Sequence, residues 1–318
     1  MKSVRMFDIA RRAGVSVKQV SRAIRGESGI AAETRKRVLR AARALGYAGL
    51  PGGRNRRIAV LCDPVNLCAL TIIGELHRLN WEAVLMPLAD FSADFEGFFD
   101  GAFYVNGNGT TAPAWYNRFT LPLVTVNDYG WDPERIASVM PDADHEMELA
   151  VDHLAELGHR RIARLRSKMP GGGEVYRHRG ETGFLQAAAR HGIADEVATL
   201  NFVEWPELET LIPDLCRRGF TGFIITIYRD YGWLLDIFRQ VPRRIPQEVS
   251  LIVYDDQPLV EDLGLTAVAI NYLEMIRQAI RVLVDRIEGR DELPHLVIPA
   301  SLRIRNSTGP LAATEALP

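Results

Sequence analysis

Phe7-Asp8-Ile9-Ala10-Arg11-Arg12-Ala13-Gly14-Val15-Ser16-Val17-Lys18-Gln19-Val20-Ser21-Arg22-Ala23-Ile24 decides how the N-terminus is read. Apolar residues at Met6, Ile9, Ala10 and Ala13 share one face of a short helix. Gly14 ends that helix, as expected where the chain turns through positive φ. Ser16 then stands at the N-cap of a second helix, Val17 to about Arg25. There Val20 and Ile24 point inward with Val15, while Lys18, Ser21, Arg22 and Arg25 are left outside. Gly26 stops the second helix. A third, Glu33 to about Leu45, buries Val38, Leu39, Ala42 and Leu45 and closes at Gly46. Two short helices about a glycine-containing turn, with a third in support, make a helix-turn-helix. Its second helix can present N-terminal side chains to a DNA major groove.

Charge supports this reading. The 318-residue chain has a net charge of −2, but residues 1–57 carry fifteen cations against three carboxylates, a net +12 that leaves −14 on the rest. Such a surplus is the footprint of a phosphate-binding module. A merely solvated basic tail would lack the hydrophobic periodicity just described. Composition, 47% hydrophobic and 25% charged, is that of an ordinary globular protein. No run approaches the ~18 apolar residues of a membrane span, and the basic first thirty residues lack the apolar core of a secretory signal. Cys62, Cys68 and Cys216 show no CxxC spacing, so neither a disulfide framework nor a zinc site is expected, and a cytoplasmic location fits. No cofactor is called for.

The N-terminal segment resembles the LacI family of bacterial transcriptional regulators. The resemblance rests on Asp8-Ile9-Ala10-Arg11-Arg12-Ala13-Gly14-Val15-Ser16, Val20-Ser21-Arg22, Glu33-Thr34-Arg35-Lys36-Arg37-Val38 and Leu45-Gly46-Tyr47. It implies that Val17 and Lys18 hold the variable base-reading positions, that Arg22 is the nearly fixed helix arginine, and that Ser16 and Ser21 supply phosphate-contacting hydroxyls. Chemically, Lys18 and Arg22 can donate to guanine, whereas Val17 can only pack on a thymine methyl. Arg5, Arg25, Tyr47 and Arg54 complete the candidate contacts to a double-stranded operator. Arg25 stands where many relatives have asparagine. Ala31 replaces the usual serine cap of the third helix, a loss of about 1 kcal/mol.

The family's tyrosine leads into a hinge helix that wedges a leucine into the minor groove. Here ten residues separate Tyr47 from Ile58, and Gly49, Pro51, Gly52 and Gly53 oppose a helix. The expectation is that the hinge helix is absent. Leu50 is either a wedge or a plain linker residue, and Arg54, Arg56 and Arg57 can follow the DNA backbone or enter a narrow minor groove.

Beyond the linker, strands at 58–63, 83–88, 101–106, 123–127, 161–166, 222–226, 250–254 and 266–270 alternate with helices at 67–79, 144–157, 177–191, 206–218, 229–240 and 271–288. Alternation of this kind predicts parallel sheets with helices on both faces, and about 260 residues of it predict two subdomains. The family resemblance continues at Asp142, at His153-Leu154-Ala155-Glu156-Leu157-Gly158-His159-Arg160-Arg161-Ile162 and at Val249-Ser250-Leu251-Ile252-Val253-Tyr254-Asp255-Asp256. It implies a two-lobed periplasmic-binding-protein-like domain with a ligand cleft and a homodimer interface, His153 and His159 being structural. The organisation expected is a multidomain chain: an all-α head (1–48), a linker (49–57), an α/β two-lobed ligand-binding and dimerisation domain (58–308) and a tail (309–318). Only Ala89–Asp100 join two strands of the first lobe. Phe91, Phe95, Phe98 and Phe99 there are expected to close over a core deprived of a helix.

Candidate effector residues are Asp63 and Asn127 at strand ends, Arg179, and Asp255, which matches the first carboxylate of the family's Asp-Asp pair and equally suits a loop-capping role. The family's arginine, three residues before Gly183-Phe184, falls on Gly180. Arg177 and Arg179 are out of register, and Ile227-Tyr228-Arg229-Asp230 replaces an Asn-Asp pair. Gly171-Gly172-Gly173 lacks the context of a phosphate loop. The reading is a dimeric, DNA-binding transcriptional regulator, a repressor with a small sugar-like or nucleoside-like effector. The alternatives are a solute-binding protein, which needs export, and an enzyme on the same lobes, for which no triad, metal cluster or phosphate loop stands out.

Overall fold

A computed structural model describes residues 4–24, 29–45, 47, 56–62, 66–91, 98–105, 115–127, 132–167, 179–202, 206–226 and 231–311. Three helices open the chain: α1 (Met6–Ala13), α2 (Val17–Ile24) and α3 (Ala32–Ala44). Ile9, Val20, Val38 and Ala42, one or two from each helix, are fully buried together. Gly14 has φ +63° and turns the chain between α1 and α2. Ser16 caps α2 reciprocally. Its hydroxyl accepts from the Gln19 amide (3.2 Å), and the Gln19 side-chain oxygen accepts from the Ser16 amide (3.0 Å). Both donors would otherwise be orphans of the first helical turn.

The α/β part continues with β1 (Arg57–Leu61), α4 (Leu67–Arg78), β2 (Glu82–Met86), β3 (Gly101–Val105), β4 (Leu123–Val126), β5 (Ala137–Pro141), α5 (Ala143–Glu156), β6 (Ile162–Ser167), α6 (Glu181–Arg190), β7 (Ala198–Phe202) and α7 (Glu207–Arg217). It ends with β8 (Gly222–Thr226), α8 (Tyr231–Gln240), β9 (Ser250–Tyr254), α9 (Pro258–Asp262), β10 (Thr266–Ala269), α10 (Tyr272–Ile287), β11 (His295–Ile298) and β12 (Ser301–Arg303). Two six-stranded sheets result, in the orders β11-β5-β4-β3-β1-β2 and β12-β10-β9-β8-β6-β7. β1 to β5 pair in parallel, as do β6 to β10, and β12 runs antiparallel to β10. The chain divides into two compact units, Met1–Met140 with Tyr272–Val297, and Pro141–Asn271 with Ile298–Pro318.

Four strands escape the sequence reading: β5, β7, β11 and β12. β7, β11 and β12 sit at sheet edges, and their short, partly polar sequences become strands by pairing rather than by propensity. β5 is fully buried, but Ser138 and Pro141 break its apolar run. Ser138 is accommodated by a hydrogen bond between its hydroxyl and His295 (2.8 Å).

Between β2 and β3 a 3₁₀ turn spans Leu88–Asp90. Phe91 and Phe99 are buried there, and the Phe91 ring lies 4.9 Å from Trp115 and 5.4 Å from Phe119, edge to face. These two rings close over the core as expected. Phe98 does not, being 56% exposed, and Phe95 lies outside the described residues.

His153 and His159 are structural. His159 is fully buried, with Nδ1 at 3.0 Å from Thr221 Oγ1 and Nε2 at 2.7 Å from Ser250 Oγ. His153 Nε2 meets Thr308 Oγ1 at 2.9 Å. Burial lowers the pKa of both imidazoles. The network ties in the chain's last described stretch: the Gly309 amide donates to Ser250 and the Leu311 amide to the Leu157 carbonyl.

Candidate DNA-binding face and strand-end polar clusters

On the head, α2 buries Val20, Ala23 and Ile24 and leaves its N-terminal end open. Ser16, Val17 and Lys18 are exposed, Val17 by 42%, and Ser21 and Arg22 are half-buried. The exposed Val17 and Lys18 offer one apolar and one donating group at the helix N-terminus, the two kinds of group by which base edges in a major groove can be read. Arg22 folds back over the following turn, where its Nη2 lies 3.0 Å from the Cβ position of Gly29. Arg5 is exposed, and its amide donates to Asp8 (2.9 Å) at the start of α1. Tyr47 is half-buried against the head's core, its amide bonded to the Ala42 carbonyl (3.0 Å). Arg25, Arg54 and the hinge segment lie outside the described residues. In the same compact unit, Arg40 of α3 pairs with Asp291 at 3.3 Å, an exposed contact of little energy.

Asn127 and Asp255 occupy matching places, just past β4 and β9, each the third strand in its sheet's order. Both take the left-handed conformation, φ +55° and +71°. Both amides bond back to the neighbouring strand, to Val139 and Val268, at 3.0 and 2.9 Å. Asn and Asp are the non-glycine residues that tolerate this backbone, and such positions gather at functional strand ends. Asp255 is buried and accepts from the Gln257 amide group at 3.2 Å. Arg179 is half-buried in the second unit. Asp63 lies outside the described residues.

A further cluster in the second unit went unread in the sequence. Arg164 and Arg166 of β6 are 3% and 6% exposed. Glu146 of α5 is 1% exposed and accepts from the Tyr254 hydroxyl at 2.8 Å. Burial outweighs nearby Arg179 and pushes the Glu146 carboxyl up to about 7. The available signal was the Arg164-Leu165-Arg166 alternation, which sets two guanidiniums on one face of an otherwise apolar strand. Among the described residues no three His, Cys, Asp or Glu side chains could hold a metal ion, and no helix is long and apolar enough to cross a membrane.

Residues 5–49 match the bacterial regulatory proteins of the lacI family, and residues 151–308 match a periplasmic binding protein-like domain. The HTH-type transcriptional regulator MalR of Streptomyces coelicolor is 28% identical over 339 residues, covering 96% of this chain and 97% of MalR. A solved complex of the transcriptional regulator CelR with cellobiose, 24% identical, superposes with TM-score 0.63 over 96% of this chain and 99% of its own. A lac repressor dimer bound to operator and the anti-inducer ONPF, 19% identical, gives TM-score 0.66 over 97% and 100%. These two likenesses are of fold. Residues 5–49 thus form a lacI-family helix-turn-helix with an open second helix, and along nearly its whole length the chain is similar to HTH-type transcriptional regulators.

Proposed function

We propose that this regulator is a homodimeric repressor that works in the cytoplasm on a pseudo-palindromic operator. In this reading α2 reads each half-site through Val17, Lys18 and Arg22, Ser16 and Ser21 hold phosphates, and a small polar molecule at the strand ends tunes the affinity. The observation that carries it is the head itself: an open helix N-terminus on a closed hydrophobic core, within a segment of charge +12. The matched left-handed Asn127 and Asp255 support the effector role, since strand C-termini are where open α/β sheets bind ligands. Arg5, Arg25, Tyr47 and Arg54 remain the accessory DNA contacts in this proposal, and Asp63 and Arg179 the accessory effector contacts.

Sedimentation of the full chain with a symmetric duplex, selected from a random pool, tests the assembly. Two chains per duplex are expected, with half-sites a whole number of helical turns apart. One chain per duplex, or a selected site without symmetry, overturns the dimeric reading.

A further inference from the structure

Arg164 comes from the middle of a parallel strand, where a charge is costly unless it is partnered. Its Nη2 donates to the Arg179 carbonyl at 2.6 Å, and the guanidinium lies 6.0 Å from the centre of the Phe184 ring. Its Nε and Nη1, both buried, make no hydrogen bond, and neither does Oε1 of Glu146. Burial and the neighbouring Arg166 lower the Arg164 pKa to about 10, which leaves it cationic at neutral pH.

Gly180 explains why the guanidinium arrives from β6. A Cβ at that position would lie 2.6 Å from the Ala143 carbonyl and 3.1 Å from Arg164 Nη2. No side chain fits at residue 180, and Arg164 fills the space beside it. The cluster therefore sets the Arg164 guanidinium beside that of Arg166 and near the carboxylates of Glu181 and Glu146, and Glu146 also feels Arg179 and Asp142. It offers unmatched donors from a cation and an unmatched acceptor from a carboxyl group. Buried polar atoms of this kind are matched by a ligand or by ordered water.

We infer that this cluster between β6 and α5 takes a small hydroxylated acid, its acid group facing Arg164 and a hydroxyl donating to Glu146. The inference rests on the effector reading and narrows its ligand class to sugars that carry a carboxylate or a phosphate. A charge-assisted hydrogen bond from a buried arginine gives the acid at least a tenfold preference over its neutral parent.

The test is titration calorimetry and thermal shift on the full chain with glucuronate and gluconate, with glucose 6-phosphate and ribose 5-phosphate, and with glucose and ribose. The expected result is that one of the two acid classes, carboxylate or phosphate, binds at least tenfold more tightly than its neutral parent. Arg164→Met, its fold checked by circular dichroism, then removes that preference. If Arg164→Met does not fold, Glu146→Gln serves instead, weakening binding of the acid sugar. Neutral sugars binding as tightly as acids, an acid preference that survives Arg164→Met, unchanged acid-sugar binding in Glu146→Gln, or no acid binding at 10 mM each overturns the inference. An acid that binds through Arg164 yet leaves operator affinity unchanged upholds the inference and instead sinks the effector reading.

Discussion

Replacing Gly183 by alanine tests how the second unit is built around its polar cluster. Residue 183 lies in α6 with an ordinary helical backbone, so alanine brings no conformational strain. Helix propensity alone would favour it by about 1 kcal/mol. The obstacle is space: the new Cβ would lie 2.0 Å from the Asp144 carbonyl oxygen and 2.5 Å from its carbon. These are backbone atoms of α5 and cannot rotate away, so α6 must withdraw by more than an ångström. Withdrawal breaks the bond from the Gly183 amide to Asp144 Oδ1 (3.0 Å), worth about 1 kcal/mol. It also loosens Phe184, Ala187 and Ala188, all fully buried. Overpacking against backbone belongs at the upper end of its usual cost, so the expected net loss is about 3 kcal/mol. Gly192→Ala is the control. That residue has φ +65° and nothing within 4 Å of the Cβ position, so its cost is left-handed strain alone, roughly 1–2 kcal/mol. Urea unfolding of both variants separates the mechanisms. A Gly183→Ala loss below that of Gly192→Ala would refute the claim that α5 and α6 meet backbone to backbone.

Ser16 is placed to do two jobs, capping α2 and touching phosphate, and two substitutions separate them. Ser16→Ala should cost the head about 1 kcal/mol in thermal unfolding. Ser16→Asp should keep the cap yet weaken operator binding by charge repulsion; unchanged binding would remove the phosphate role. For Glu146 the folded pKa of about 7 lies above the ordinary 4.5, so the native state is favoured while the carboxyl is protonated. That advantage is lost as pH rises through 7. Glu146→Gln should therefore stabilise the free protein by about 3 kcal/mol at pH 8, and by less than half as much at pH 5.5. An equal gain at both pH values would show that Glu146 is not held neutral by burial.

Much of the head was legible in sequence because each of its signals is local: a helical apolar period, Gly14 at the turn and Ser16 at the cap. The reciprocal bond from Gln19 was equally local and was overlooked. The α/β alternation was legible where strands are buried on both faces, as in β3, β8 and β9. It was not legible in β7, β11 and β12, whose residues become strands only because a neighbour pairs with them. Among the candidate effector residues, Asn127 could be placed at a strand end and Asp255 by resemblance, but their shared left-handed backbone could not be read. Gly180 looked like a lost arginine. Only the packing shows that the space beside it is filled by Arg164, sixteen residues earlier, so no register argument could have found it.

The most direct test of the central claim is the anisotropy of the full chain titrated onto its selected operator and onto a scrambled duplex of equal length, at one fixed salt concentration. The account predicts at least a roughly 1,000-fold preference for the operator, with Arg22→Ala losing most of it while the fold is retained. Equal affinity for the two duplexes, or an Arg22→Ala variant that reads the operator as well as the parent does, would contradict it.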